Sequence, residues 1–231
     1  MRIVIFGANG ATGRLLTRQA VDADHSVVAV TRNPRVFPIE HPRLTVVEGD
    51  VHDRRATAEA MVGAEVVLSA LGVPFGRKPI SVYSDGIASI AEAMDKHGLT
   101  RVVVVSSAGT EPRRHADGGF LLNRVMQPVV TRTIGKTTYA DMRAMEQFLR
   151  ASSLEWTVLR PGGLFDAEAV SDYELREDHS DRVFTSRADL AAGILAQATG
   201  RDWIRRCVAV NTVQGAPTLL EMFRREAVGG R

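Results

Sequence analysis

The 231-residue chain is 45% hydrophobic, 24% charged and 6% aromatic, an ordinary globular composition that excludes the disordered and fibrous classes. Its 29 Lys plus Arg against 27 Asp plus Glu leave a net charge of +2, and its Arg pairs are scattered, so no nucleic-acid-binding surface is expected. The single cysteine, Cys207, excludes an internal disulfide, no stretch reaches the length of a membrane helix, and Ile3 to Phe6 is too short for a signal core; one cytoplasmic domain over 1–231 is expected.

The first apolar run, RIVIF at 2–6, leads into Gly7, Gly10 and Gly13, and Thr12-Gly13-Arg14 opens an amphipathic helix expected over 12–22. Further strands are expected at 26–30, 44–48, 65–70, 101–106, 156–160 and 207–210, most of them continuously apolar, as strands covered on both faces are. Between them, helices are expected at 53–62, 80–97, 137–151, 187–199 and 217–227. Strand alternating with helix implies an α/β fold: a doubly wound, mostly parallel sheet with helices on both faces. The longest irregular part, 108–130, follows the fifth strand and includes a short helix around LLNRVM; it is either a lid or binding loop or a surface insertion.

Strand, glycine turn and helix in this order form a dinucleotide cradle. Glycines let the backbone approach a pyrophosphate, and the helix N-terminus offers free N–H groups and partial positive charge. NAD-specific folds end their second strand with an acid for the ribose 2′-OH, whereas NADP calls for a cation. Here that strand ends Thr31-Arg32-Asn33, so Arg32, assisted by Arg14, is placed to hold a 2′-phosphate, and NADP(H) is the expected cofactor.

The segments GANGATGR, TRNP, VVEGDV, LSALG, VVVVSSAG, YADMRAMEQFLRASSLEWTVLRPGGL and SRADLAAGIL together resemble the NAD(P)H-binding, NmrA-like branch of the atypical short-chain dehydrogenase/reductases, a branch similar to biliverdin reductase B and flavin reductase type proteins. The resemblance runs from residue 1 to about residue 200. It implies that Gly7, Asn9, Gly10, Ala11, Thr12 and Gly13 form the phosphate loop, that Arg32 meets the 2′-phosphate, and that Asp50 and Val51 face the adenine. It places Ala70, Leu71 and Gly72 on the ribose and nicotinamide side, Ser106 and Ser107 beside the nicotinamide, and Pro161, Gly162, Gly163 and Leu164 at its carboxamide. It also implies a monomer or homodimer acting on a small-molecule substrate, with 80–97 and 137–151 as dimer surfaces in many relatives.

Most short-chain dehydrogenases pair a tyrosine with a lysine four residues on; here Tyr139 is followed at that spacing by Arg143, with Lys136 upstream. A fixed guanidinium charge can depress a phenol pKa, so Tyr139 is a candidate proton donor with Arg143 as partner and Ser107 orienting a substrate carbonyl. Helical spacing puts Met142, Met145 and Leu149 on the apolar face, with Tyr139 and Arg143 at its margin. An acceptor that solvent protonates needs no such donor, and the fold then supplies chiefly orientation. Phe165, Tyr173 and Phe184, in the part from about 164 that would wall the substrate pocket, are placed either to stack on a flat acceptor or to pack in the core.

The cluster Asp50, His52 and Asp53 lacks a matching ligand set, Asp53 reads as a helix N-cap, and no metal is expected. The function these features favour is an NADPH-dependent reductase of a carbonyl, quinone, flavin or conjugated molecule. The alternatives are a non-enzymatic NADP(H) sensor and a nicotinamide-dependent epimerase.

Overall fold

The computed structural model describes residues 1–111, 113, 119, 124, 127–133, 135–218 and 221. In chain order the elements are β1 (Arg2–Phe6), α1 (Ala11–Asp22), β2 (Ser26–Thr31), β3 (Leu44–Glu48), α2 (Arg54–Ala60), β4 (Val66–Ser69), α3 (Ser84–Lys96) and β5 (Arg101–Val105). There follow α4 (Gln127–Arg132), α5 (Lys136–Ala151), β6 (Glu155–Pro161), β7 (Gly163–Phe165), β8 (Tyr173–Glu177), β9 (Phe184–Ser186), α6 (Arg187–Thr199) and β10 (Arg206–Thr212). The helices expected around LLNRVM and over 217–227 fall largely outside the described residues.

Eight strands form one sheet in the order β3-β2-β1-β4-β5-β6-β10-β8, parallel except where β8 runs antiparallel along β10. The chain leaves β1 toward β2 and β3, then returns to β4 on the other side. This reversal makes the carboxyl ends of β1 and β4 the topological switch point, where open α/β sheets hold ligands.

The continuous apolar runs have a simple cause. Val4 and Phe6 of β1 pack on the face covered by α2, α3 and α5, while Ile3 and Ile5 pack on the face covered by α1 and α6. Successive side chains point to opposite faces, so a strand covered on both sides is apolar at most of its positions.

One helix start differs from expectation for an identifiable reason, and another agrees. α3 begins at Ser84 rather than at residue 80 because buried Asp141, on α5, accepts hydrogen bonds from the backbone N–H groups of Tyr83 (2.9 Å) and Ser84 (3.2 Å) and from the Ser84 hydroxyl. One helix thus supplies the N-terminal cap of another. Asp53 accepts from the N–H groups of Arg55 and Ala56 and so caps α2, as its position in the sequence suggested.

Candidate functional site

The turn from β1 into α1 is built by close backbone contacts. A Cβ on Gly13 would lie 2.1 Å from the Gly7 carbonyl oxygen, and one on Gly7, whose φ is +72°, would lie 2.5 Å from the Ala70 carbonyl oxygen at the end of β4. These two glycines are therefore demanded by the packing of the chain on itself. Gly10 differs: a Cβ there would meet only the Gly7 oxygen, at 3.3 Å, and the residue is exposed. Gly10 is also the N-cap of α1, with no side-chain cap, so the first N–H groups of the helix are left to an external acceptor. Beside this terminus the Arg14 Nε donates to Asn9 Oδ1 at 2.9 Å.

The neighbouring carboxyl ends bring most of the expected cofactor residues to one edge of the sheet. Thr31 is buried at the end of β2 and Arg32 is exposed beyond it, with no ion-pair partner among the described residues. The Gly49 N–H bonds the Thr31 carbonyl, which sets Asp50 and Val51 beside that strand. Val51 and Leu71 reach the same spot, since a Cβ on Gly86 of α3 would touch the side chains of both at 3.2 Å. A Cβ on Gly72 would meet nothing within 4 Å, so the backbone after β4 borders open space. The described turn and uncapped helix end fit the pyrophosphate of a dinucleotide.

Beyond β5 the chain makes a tight turn at Ser107–Thr110. The Ser107 hydroxyl accepts from the Gly109 N–H at 3.1 Å and lies beside the Tyr139 phenol. Tyr139 is only 7% exposed, inside the buried face of α5 rather than at its margin. Gly109 and Gly135 close on its ring from two sides: a Cβ on the first would sit 2.5 Å from Cζ, and on the second 2.6 Å from Cε2. Arg143 is exposed and turns away, donating to the Thr110 carbonyl at 3.2 Å. The expectation that Arg143 lowers the phenol pKa is therefore replaced: burial pushes the Tyr139 phenol above its ordinary value, and Ser107 opposes the shift.

A titration of 13Cζ-labelled tyrosine followed by NMR should give Tyr139 a midpoint above the ordinary value near 10, raised further in Ser107→Ala. The unfolded chain ionises first, so this phenol's contribution to stability is intact below about pH 10 and is lost as pH rises through the folded value. A midpoint that falls when Ser107 is removed contradicts the assigned contact.

Ser106 does not turn its hydroxyl to the site's opening. It is buried and donates to Glu146 Oε1 at 2.7 Å, an oxygen that also accepts from Thr110 Oγ1 (3.3 Å) and Arg160 Nε (3.0 Å). Glu146 and Arg160 are 4% and 1% exposed, and Arg160 Nη2 reaches both Glu146 and Glu111, the latter at 3.0 Å. Burial works against the Arg160 charge, but the two carboxylates more than compensate and hold it protonated; Arg160 in turn keeps Glu111 below the usual carboxylate range. One buried carboxylate therefore fixes both ends of the turn that carries Ser107.

Pro161 closes β6, and the Gly162 and Gly163 N–H groups bond Thr185 Oγ1 (3.0 Å) and the Val183 carbonyl (2.8 Å). Leu164 continues into β7, which pairs with β9. Phe165 and Phe184 are buried and Tyr173 packs against the core, so these aromatics serve packing. Among the described residues no group of three or more His, Cys, Asp or Glu is placed to hold a metal ion, and no helix is long and apolar enough to cross a membrane.

Glu146, Arg160, Tyr83 and Phe75 belong to this region and were not singled out from the sequence. The signal for the first two was present: Glu146 falls on the stripe of Tyr139, Met142 and Leu149, and Arg160 ends an apolar strand. A charge on an apolar face is the anomaly that marks a buried ion pair.

Residues 7–200 match the family model described as NAD(P)H-binding. An uncharacterized protein of Mycobacterium tuberculosis is 35% identical over 114 residues, 49% of this chain, and the match spans 13% of that relative's length. The protein named uncharacterized sugar epimerase YhfK of Bacillus subtilis is 25% identical over 97% of this chain and 100% of its own. A short-chain dehydrogenase/reductase of Veillonella parvula, solved in complex with NADP, superposes with a TM-score of 0.75 at 23% identity, covering 93% of this chain and 95% of that one.

Proposed function

Because this chain belongs to the NAD(P)H-binding family, we propose that it is an NADPH-dependent reductase acting on a small carbonyl, quinone, flavin or conjugated acceptor. The observation that carries this reading is the approach of Ser107, just beyond β5, to Tyr139 of α5, with β4 alone between β5 and the strand that leads into the glycine turn.

In this reading the uncapped N-terminus of α1 and Gly10 receive the pyrophosphate, and Ala70, Leu71 and Gly72 border the ribose next to the ring. Bound NADPH supplies a hydride. Tyr139, kept protonated by burial, delivers a proton to the acceptor oxygen, and Ser107 orients both phenol and acceptor. Arg143 anchors the turn at Thr110 rather than tuning the phenol. Glu146 and Arg160 hold the turn in place from beneath.

Arg32 faces the 2′-phosphate with its planar fork. Fluorescence titration should find NADPH binding weakened about 10- to 100-fold in Arg32→Ala, the effect of losing a charge-assisted hydrogen bond, with NADH binding unchanged. An equal loss for both nucleotides would remove Arg32 from the phosphate and with it the preference for NADP.

One observation favours a second reading. The Tyr139 phenol is closed in on several sides, and such closure suits a protein that senses NADP(H) without turning it over. NADPH binding with no consumption across carbonyl and quinone acceptors would select it.

A further inference from the structure

Phe75 also packs against Tyr139, its ring centroid 5.5 Å from that of Tyr139 at an interplanar angle of 56°. Phe75 is itself 49% exposed. The described exposed apolar side chains also include Val36, Val62, Val129, Phe148 and Val170, and of all these only Phe75 makes a ring contact with another aromatic. Scattered exposed apolar residues are normal, so exposure alone says little. The placement says more.

Phe75 sits at the crest of a short arch between β4 and α3. On one side Val73 packs against the core; on the other the Gly76 carbonyl accepts from Thr137 Oγ1 at 2.9 Å, on the first turn of α5. Pro74 further restricts the backbone between these ties. The ring is thus a fixed ledge, tilted against Tyr139 and about half exposed. Around it the space is open, since a Cβ on Gly72 or on Gly76 would meet nothing within 4 Å.

Resting on the reductase reading, we infer that Phe75 is the specificity-determining residue of the acceptor site: its exposed ring stacks on a planar conjugated ring at the mouth of that site. Offset and tilted aromatic contacts add to simple apolar burial, and they do so only for flat partners. A puckered aliphatic diketone of similar size gains little from the same ledge. Arg77 and Lys78, exposed on the descending side of the arch, do not enter this discrimination.

The test compares 2-methyl-1,4-naphthoquinone with cyclohexane-1,4-dione, titrated calorimetrically onto the protein in the presence of NADP+, where no turnover occurs. Phe75→Ala should weaken quinone binding by about tenfold or more and leave the diketone within about twofold, while Phe75→Trp keeps quinone binding within about threefold. NADPH affinity should be unchanged in both variants, which also verifies that they fold. Equal losses for both ligands, no loss in Phe75→Ala, or no quinone binding by the parent protein would each overturn the proposal.

The two readings fail separately. If the quinone pattern holds but NADPH is never consumed, the ledge stands and the reductase falls. If NADPH is consumed with the quinone at an unchanged kcat/KM in Phe75→Ala, the reductase stands and the ledge falls.

Discussion

Gly13→Ala should lose NADPH binding by roughly 100-fold or more, equivalent to nearly 3 kcal/mol, and should also destabilise the fold. The new methyl would have to occupy a point 2.1 Å from the Gly7 carbonyl oxygen, with the Ala8 backbone at 2.8 Å. Both obstacles are main chain, so no side-chain rotation relieves them. The start of α1 must then shift off β1, at a cost of about 1–3 kcal/mol for overpacking of this kind. In a chain of this length that lowers Tm by about 2–4 °C per kcal/mol.

The informative contrast is Gly10→Ala. Its methyl would meet only the Gly7 oxygen, at 3.3 Å, and the residue is exposed. The fold should lose less than about 1 kcal/mol, the scale of a poorer N-cap, yet NADPH should bind about tenfold more weakly because the methyl stands where a phosphate oxygen would lie. Thermal melts with and without NADPH separate the two effects. Unaltered NADPH affinity in Gly10→Ala would move the pyrophosphate away from this turn.

That contrast also marks how far the sequence could be read. The parallel sheet was legible because the central strands are buried on both faces, so residues 3–6 of β1 and 102–105 of β5 run apolar without a break. The observed ends of β1, β3 and α6 coincide with the expected ones. β8 was missed for the opposite reason. YELRE is a half-exposed edge strand with only Leu175 as an aliphatic residue, and its charges, which suit an edge, resemble those of a loop. β7 and β9 are three residues each, too short for periodicity to register.

The site was legible where backbone geometry dictates residue type and less so where side chains meet from distant elements. Glycine spacing marked the β1–α1 turn, but nothing local to Tyr139 says that Gly109 and Gly135 will close over its ring or that Arg143 will turn to Thr110. Spacing of four residues does put two side chains on one helix face. It does not decide which of them the third element covers, and here the turn after β5 covers the tyrosine and leaves the arginine outside.

Glu146→Ala should be the most destabilising single substitution of a charged residue in the described site, by about 3 kcal/mol, because it leaves the Arg160 guanidinium buried without its closest counter-charge. Glu111 still reaches Arg160 Nη2 at 3.0 Å, but that carboxylate is 44% exposed and bonds a single nitrogen, so it replaces only part of the loss. The Ser106 hydroxyl loses its acceptor in the same step, while that of Thr110 keeps the Ser107 carbonyl at 2.8 Å. The double variant Glu146→Met with Arg160→Met removes both charges and fills the space, and should recover most of the stability, since a buried pair and an apolar pair of like volume often differ little. Urea unfolding of the two single variants and the double variant gives the coupling directly. If the double variant is as unstable as the sum of the singles, the pair is not coupled and the turn is held by its backbone alone. If it recovers, the charges are dispensable for stability, and their use lies in fixing where the Ser107 turn stands relative to Tyr139.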